Sequence, residues 1–380
     1  MAIYLDYAAT APLREEAREA WLAAADAVNP GGQYASGRRA RGILDDAAEA
    51  VAAALGCEPI EVIFTGSGTE ADNLAVTGLY RARLAAGAAD RIISTPIEHP
   101  AVARTVAATG ARVDELPVGR DGVVRPELER ALAADGAALA TCMWANNETG
   151  AIQPVAALAA QASAAGVPFH VDAVQAVGHV PVNFGELGAT TLAASAHKFG
   201  GPRGVGLLLA RRSPAPQAVL HGGGQQRGLR SGTIDVAGAA ATAAALVASC
   251  AEMREEGRRE ARLRDLLLRG IVERIPDAIV MTPRGDAALP GHVHVAFPGA
   301  EGDSLNMLLD ARGIECATGS ACASGVNRAS DVLLAMGVPE ADARGALRFT
   351  LGRGTSESDV SQVLTELPDV VRLARGAGMA

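Results

Sequence analysis

The sequence predicts an α/β fold, in which helices cover a mainly parallel sheet and a smaller α+β unit follows. Three observations lead there. Short apolar runs alternate with alanine-rich helical stretches through most of the first 250 residues. Nearly half the chain, 49%, is apolar while only 3% is aromatic, which favours a large core of closely packed helices. From about residue 240 the pattern changes to a long Arg/Glu-rich helical stretch and then to short alternating runs.

In chain order, strands are expected at 61–65, 91–95, 138–144, 167–172, 190–195 and 205–210. Segments 70–86 and 155–165 have helical spacing and lie between them. Residues 240–274 read as one long helix, followed by strands at 292–297, 313–316 and 346–351. Residues 372–380 are expected to fray, and no internal repeat is visible. In a parallel sheet ligands bind beyond the carboxyl ends of the strands, so chemistry is sought there.

Composition narrows the function classes. The net charge is −9 with signs mixed along the chain, and no block of Arg offers a phosphate-binding face. No run of about 18 uninterrupted apolar residues argues for a membrane span. The start, MAIYLDYAATAPLREE, lacks a basic region followed by an apolar one, so no secretory signal is expected. The five cysteines, Cys57, Cys142, Cys250, Cys316 and Cys322, are scattered and form no CxxC pair. Neither a metal site nor a disulfide framework is expected, and a reduced cytoplasmic setting fits.

Among 34 basic residues there is a single lysine, Lys198. A lysine can lose its proton and attack a carbonyl to form a Schiff base, which arginine cannot. Taken alone, Lys198 fits equally a chance survivor on a solvated surface, so its neighbours decide. It stands in Ser195-Ala196-His197-Lys198-Phe199-Gly200-Gly201-Pro202, after a strand and before a glycine-rich turn. Ser195 and His197 can donate to an anion, as an aldehyde cofactor with a phosphate tail requires.

Asp172, at the end of another strand, either pairs with a pyridinium nitrogen or caps the following helix. Gln175 is within reach of a ring hydroxyl. The turn Thr65-Gly66-Ser67-Gly68-Thr69-Glu70 joins a strand to a helix, where the backbone around Gly68 and the Thr69 hydroxyl can cradle a phosphate. It is neither GxGxxG nor a Walker loop, which disfavours a nucleotide. Cys322 lies among small residues in Thr318-Gly319-Ser320-Ala321-Cys322-Ala323-Ser324-Gly325, a poor setting for a core residue and a good one for a nucleophile. The other four cysteines read as small core residues.

Nine stretches occur in order: YLDYAATAP, FTGSGTEADNLA, EHPAV, NNETGAIQP, HVDAVQAVG, SAHKFGGPRGVG, HGGGQQRGLRSGT, TGSACASG and LRFTLGR. Together they resemble the cysteine desulfurases, the NifS/IscS-like branch of the fold-type I pyridoxal-phosphate enzymes. The resemblance implies a large cofactor-binding domain, 14–250, with a mainly parallel seven-stranded sheet. It also implies a small domain, 1–13 with 251–380, that carries the cysteine loop.

The same resemblance assigns Lys198 to the covalent link with pyridoxal 5′-phosphate, Asp172 to the ring nitrogen and Gln175 to the ring oxygen. His99 stacks on the ring and serves in proton transfer. Gly68, Thr69, Ser195 and His197 hold the phosphate, and Thr233 reaches it from the partner of a homodimer. Asn147 and Arg348 bind the substrate carboxylate, and Cys322 takes sulfur from L-cysteine for a sulfur-acceptor protein.

Two departures stand out: Gly31-Gly32-Gln33-Tyr34 replaces a Ser-rich turn ending in His, and Arg328-Ala329-Ser330 replaces Glu-Pro-Ser. The second falls where an acceptor protein would approach. Rival readings are a selenocysteine lyase or another enzyme of the same fold type, and an idle scaffold that binds a sulfur-assembly partner.

Overall fold

The computed structural model describes residues 2–125, 131, 136–319 and 329–377. Its strands in chain order are β1 (Ile3–Tyr4), β2 (Val62–Thr65), β3 (Arg91–Ser94), β4 (Arg112–Glu115), β5 (Leu139–Thr141) and β6 (Phe169–Asp172). They continue with β7 (Thr191–Ser195), β8 (Gly206–Ala210), β9 (Ile279–Val280), β10 (His292–Ala296), β11 (Ile314–Glu315) and β12 (Ala346–Thr350).

The seven-stranded sheet has the order β2-β8-β7-β6-β5-β3-β4. It is parallel except at β8, which runs antiparallel to both β2 and β7. β2, β3, β5, β6, β7 and β8 each fall inside an expected segment. β6 begins only at Phe169, because Pro168 has no N–H to give the ladder; its carbonyl still accepts from Ala140 N at 3.0 Å. β4 and β9 are mostly exposed and were not anticipated: β4 is largely charged, and β9 is only two residues long.

Helices cover the sheet. Gly68–Ala85 and Val155–Ala164 match the expected segments within two residues. The long helix starts at Val236, four residues earlier than its composition suggested, because Asp235 caps it by accepting from Gly238 N at 2.9 Å. Its first half is long and apolar enough to cross a membrane by length and composition, yet 56% of that window is buried. It packs there against helices Glu15–Ala24 and Ala35–Leu55. At the far end, Glu357–Ala377 is a helix that includes residues 372–377, so the expected fraying does not begin at 372. Val360, Val363, Leu367 and Val370 bury its inner face, and that packing outweighs the frayed terminus.

Two large apolar clusters divide the interior. One lies on the seven-stranded sheet and takes Ala239, Ala243 and Leu246 from the long helix. The other lies on the antiparallel sheet β12-β10-β9 and takes Leu263, Leu267 and Ile271 from the same helix. Ile3 and Leu5 belong to this second cluster, because β1 pairs in parallel with β11. The N-terminal segment then crosses to the first sheet: Ala8 N is held by Thr350 Oγ1 at 2.9 Å, and Ala11 N by His197 O at 2.9 Å. That crossing brings Ala8 and Ala9 beside Lys198.

Candidate active site

Three strand ends and one helix start converge on a cavity of about 280 Å³. β7 ends at Ser195 and passes into a tight turn, Ala196–Lys198, which aims the lysine across the sheet edge. Lys198 Nζ donates to Ala8 O at 2.6 Å and to Ala9 O at 3.0 Å. These bonds tie the ammonium into the cavity and argue against the alternative of a chance survivor on a solvated surface.

β6 ends at Asp172, which is 4% exposed. Its Oδ1 accepts from Val174 N at 2.9 Å, so the residue does cap the turn that follows, and it also lines the cavity. No helix directly follows Asp172, so its bond to Val174 N closes a turn where a helix cap was the alternative, and the carboxyl faces the cavity. Burial raises its pKa, while His99, Val174 N–H and Lys198 pull it back down. A buried carboxyl in that position is made fully ionic by a cationic partner such as a pyridinium N–H. Gln175 Nε2 donates to Ala8 O at 2.9 Å, which fixes the amide at the cavity edge.

β2 delivers the turn into helix Gly68–Ala85. Ser67 Oγ caps the helix by accepting from Glu70 N at 3.0 Å. Gly68 has to be glycine here, since a Cβ would stand 2.9 Å from Val174 Cγ2 and 3.1 Å from Ser195 Cβ. This close approach forms a cradle lined by Gly68, Thr69, Ser195 and His197 at a helix N-terminus, a setting suited to an anion. His197 Nδ1 lies 3.1 Å from Thr10 Oγ1, and burial lowers its pKa to about 4. It is therefore a neutral donor or acceptor near neutral pH.

His99 precedes helix Pro100–Thr109 and caps it, with Nδ1 accepting from Ala101 N at 3.1 Å. That bond leaves the ring proton on Nε2. Burial lowers the pKa of His99, partly offset by the charge of Asp172.

The opposite wall comes from the antiparallel sheet. Arg348, on β12, lines the cavity with Asn147 and Gly319. Its Nη2 donates to Asp6 Oδ1 at 2.7 Å and its Nη1 to Asn147 O at 2.9 Å. Its buried Nε has no partner among the described residues. Behind it, Glu148 accepts from Ser330 Oγ at 2.5 Å, and burial pushes its pKa up to about 7.

Of the residues singled out in the sequence, Gly68, Thr69, His99, Asn147, Asp172, Gln175, Ser195, His197, Lys198 and Arg348 all line this one cavity. Thr233 does not. It lies with Asn29, Gln225 and Gln226 on a separate groove of the same chain. Cys322 and Arg328 lie outside the described residues. Cys316 was expected on a strand and stands one residue past β11, buried, its Sγ 3.5 Å from Asn306 Oδ1. Burial pushes its pKa up to about 12, which fits an inert thiol. Cys142 is fully buried, while Cys57 and Cys250 are half-buried against the core.

The sequence reading missed Asp6 and Asp72. Asp72 lines the cavity, and an acid amid buried Ala71, Leu74 and Ala75 on a helix was the signal available. Asp6 had no such signal, because its partner is 342 residues away.

Residues 3–363 match the family described as Aminotransferase class-V. An IscS-like cysteine desulfurase of Mycobacterium tuberculosis is 46% identical, over 99% of this chain and 98% of that protein. The cysteine desulfurase IscS of Dictyoglomus turgidum is 40% identical, over 98% and 95%. Among solved structures, a NifS-like protein superposes with a TM-score of 0.90 at 33% identity, over 98% of this chain and all of that one.

Proposed function

The chain belongs to the aminotransferase class-V family as a cysteine desulfurase, and we propose that the cavity around Lys198 is where L-cysteine loses its sulfur. The observation that carries this reading is the meeting of the single lysine, a buried Asp172 and a buried Arg348 in one 280 Å³ space.

The donor set fits pyridoxal 5′-phosphate. Lys198 is the residue that would bond its aldehyde, and Asp172 would hold its ring nitrogen. Gln175 would donate to its ring oxygen, and the cradle of Gly68, Thr69, Ser195 and His197 would take its phosphate. Thr233 of a second copy would complete that cradle in a homodimer. When bound, this cofactor supplies an electron sink that loosens bonds at the carbon atoms of an amino acid.

The protein's own groups do the rest. The Arg348 fork and Asn147 hold the substrate carboxylate and set its orientation. His99 Nε2–H stands ready to hand a proton across the cavity. The Cys322 thiolate attacks the sulfur of the substrate: an S–S bond forms, the C–S bond breaks, and the carbon takes a proton. L-alanine leaves, and a persulfide stays on Cys322 for a sulfur-acceptor protein of iron–sulfur assembly or thiolation. The second apolar cluster draws only on residues 3–5 and 263–374, which favours a small domain, 1–13 with 251–380, beside a large one, 14–250; the first cluster crosses that boundary at Val332, Leu333 and Ala346. A reduced, cytoplasmic setting suits the free thiols.

Incubation with L-cysteine tests this directly. Wild type is expected to release alanine and gain one sulfur on the Cys322 peptide by mass spectrometry. Cys322→Ser should do neither, while Cys316→Ser should behave like wild type. Normal alanine release by Cys322→Ser, or persulfide on Cys316, would overturn the assignment.

A further inference from the structure

Two acids line the Lys198 cavity: Asp172 has a role in the reading above, and Asp72 has none. Asp72 lies near the start of helix Gly68–Ala85 and is 1% exposed. A carboxyl so deeply buried needs a partner. Its Oδ1 lies 3.2 Å from Nε2 of His170, and Nδ1 of His170 lies 3.0 Å from Thr191 Oγ1. Neither His170 nor Thr191 has any exposure.

His170 precedes Asp172 by two residues on β6, so both side chains leave the same face of the sheet. The register pairs His170 directly with Thr191 of β7. A chain of hydrogen-bonding groups therefore runs from the helix through β6 to β7, beside the residue that faces the cofactor.

The charges around this chain favour a proton on the Asp72 carboxyl. Asp172 and Glu98 are the acids that act on Asp72, and Lys198 and His99 are the basic groups facing Asp172. Burial, reinforced by Asp172, raises the Asp72 carboxyl well above its usual range, and burial lowers His170 to about 3. An Asp72 carboxylate, whether paired with an imidazolium or accepting from a neutral Nε2–H, would place a second negative charge beside Asp172, in a medium that screens poorly. A neutral acid donating to a neutral imidazole avoids it.

We propose that Asp72 is a positioning residue whose carboxyl proton bridges to His170 Nε2 and, through His170 and Thr191, fixes the end of β6 that presents Asp172. This rests on the reading of Asp172 as the partner of the cofactor ring. The pair Asp72–His170 keeps its proton, and Asp172 remains the carboxylate of that wall.

The test is nitrogen-15 NMR of histidine-labelled holoenzyme, with the His170 signals assigned through His170→Gln. The expected pattern is an unprotonated, hydrogen-bonded Nε2 and a protonated Nδ1, unchanged across the neutral range. Asp72→Asn keeps a donor to Nε2 and should bind pyridoxal phosphate within about threefold of wild type. Asp72→Ala leaves Nε2 bare and should weaken that binding about tenfold, with a displaced pH midpoint in the absorbance of the bound cofactor. A protonated Nε2 in wild type overturns the proposal. So does Asp72→Ala that binds and titrates like wild type, or Asp72→Asn as damaged as Asp72→Ala. If Asp72→Ala fails to fold, wild type and Asp72→Asn still decide. Should Asp172→Asn keep full activity while the His170 pattern is as expected, the reading of Asp172 fails and the proton bridge stands.

Discussion

The wall of the cavity built by the seven-stranded sheet and the wall built by the antiparallel sheet hold charge in opposite ways. On the first, Asp72 and Asp172 are buried acids whose pKa values are raised by burial, with Glu98 behind them raised in the same way. Among the described residues, the basic groups lining that wall are Lys198 and two histidines of lowered pKa, His99 and His197. The second wall presents Arg348, whose fork is already occupied on one side by Asp6 and by a backbone carbonyl. The first wall is short of positive charge and favours a cationic ring. The second has N–H donors in hand and favours an anion. A ligand with both features is oriented by that asymmetry before any chemistry occurs.

The largest expected effect comes from the first wall. Lys198→Ala removes the only lysine, and desulfuration should fall by about 10³-fold or more. Borohydride should then fix no cofactor mass to the variant, while wild type gains it on the Lys198 peptide. Cofactor mass on another peptide of wild type, such as the N-terminus, would mean that the lysine is not the bonding group.

Asp172→Asn comes next. The variant should still bind the cofactor, because the amide keeps the turn bond to Val174 N, but a neutral partner no longer holds the ring proton. Turnover should drop by about 10²-fold, about 3 kcal/mol of barrier. Near-normal turnover would reduce Asp172 to the cap of its turn.

Arg348→Lys tests the second wall and should act on KM more than on kcat. A lysine keeps the charge and loses the fork that serves Asp6, Asn147 O and a carboxylate together. KM for L-cysteine should rise about tenfold. An equal fall in kcat at constant KM would place Arg348 in the transition state and not in binding. The contrast between the walls would then need revision.

The two walls also differ in how much of them could be read from sequence. Lys198, Asp172 and Gly68 each sit within a few residues of a strand end, so apolar runs and the turns after them located these residues without any long-range information. β8 was legible as a strand, but nothing local encodes its reversed direction. Arg348 was legible only by resemblance, because its setting depends on β1 pairing with β11 and on Asp6 crossing to β12, contacts that span almost the whole chain. Asp72 was missed for a different reason. Helical periodicity marks an acid as solvated unless its apolar neighbours are weighed, and here the partner, His170, lies 98 residues away on the sheet. Thr233 was singled out only by resemblance, and in its own chain it lies on a separate groove.

The smallest effect concerns a group that belongs to neither wall. Glu260 sits on the long helix that serves both apolar clusters, beside a second cavity of about 270 Å³ that backs onto Lys198. Arg14 is paired with Glu252 at 2.8 Å and Arg259 with Glu256 at 2.8 Å, and Glu260 is 8% exposed. Burial, with the charge of Glu256 second, pushes its pKa up from 4.5 to about 8. Between those values the folded chain holds a proton that the unfolded chain has released. This contribution to stability is fully present below about 4.5 and is lost as pH rises through that window to about 8. Glu260→Gln imitates the protonated acid and cannot titrate. The variant and wild type should therefore melt alike at the acid end of the window. Near its upper end the variant should melt a few degrees higher, because wild type has by then lost that contribution. Parallel melting curves across the window would show that Glu260 is ionised in the fold. The long helix would then carry a buried negative charge between the two clusters, and the division of charge would extend beyond the cavity.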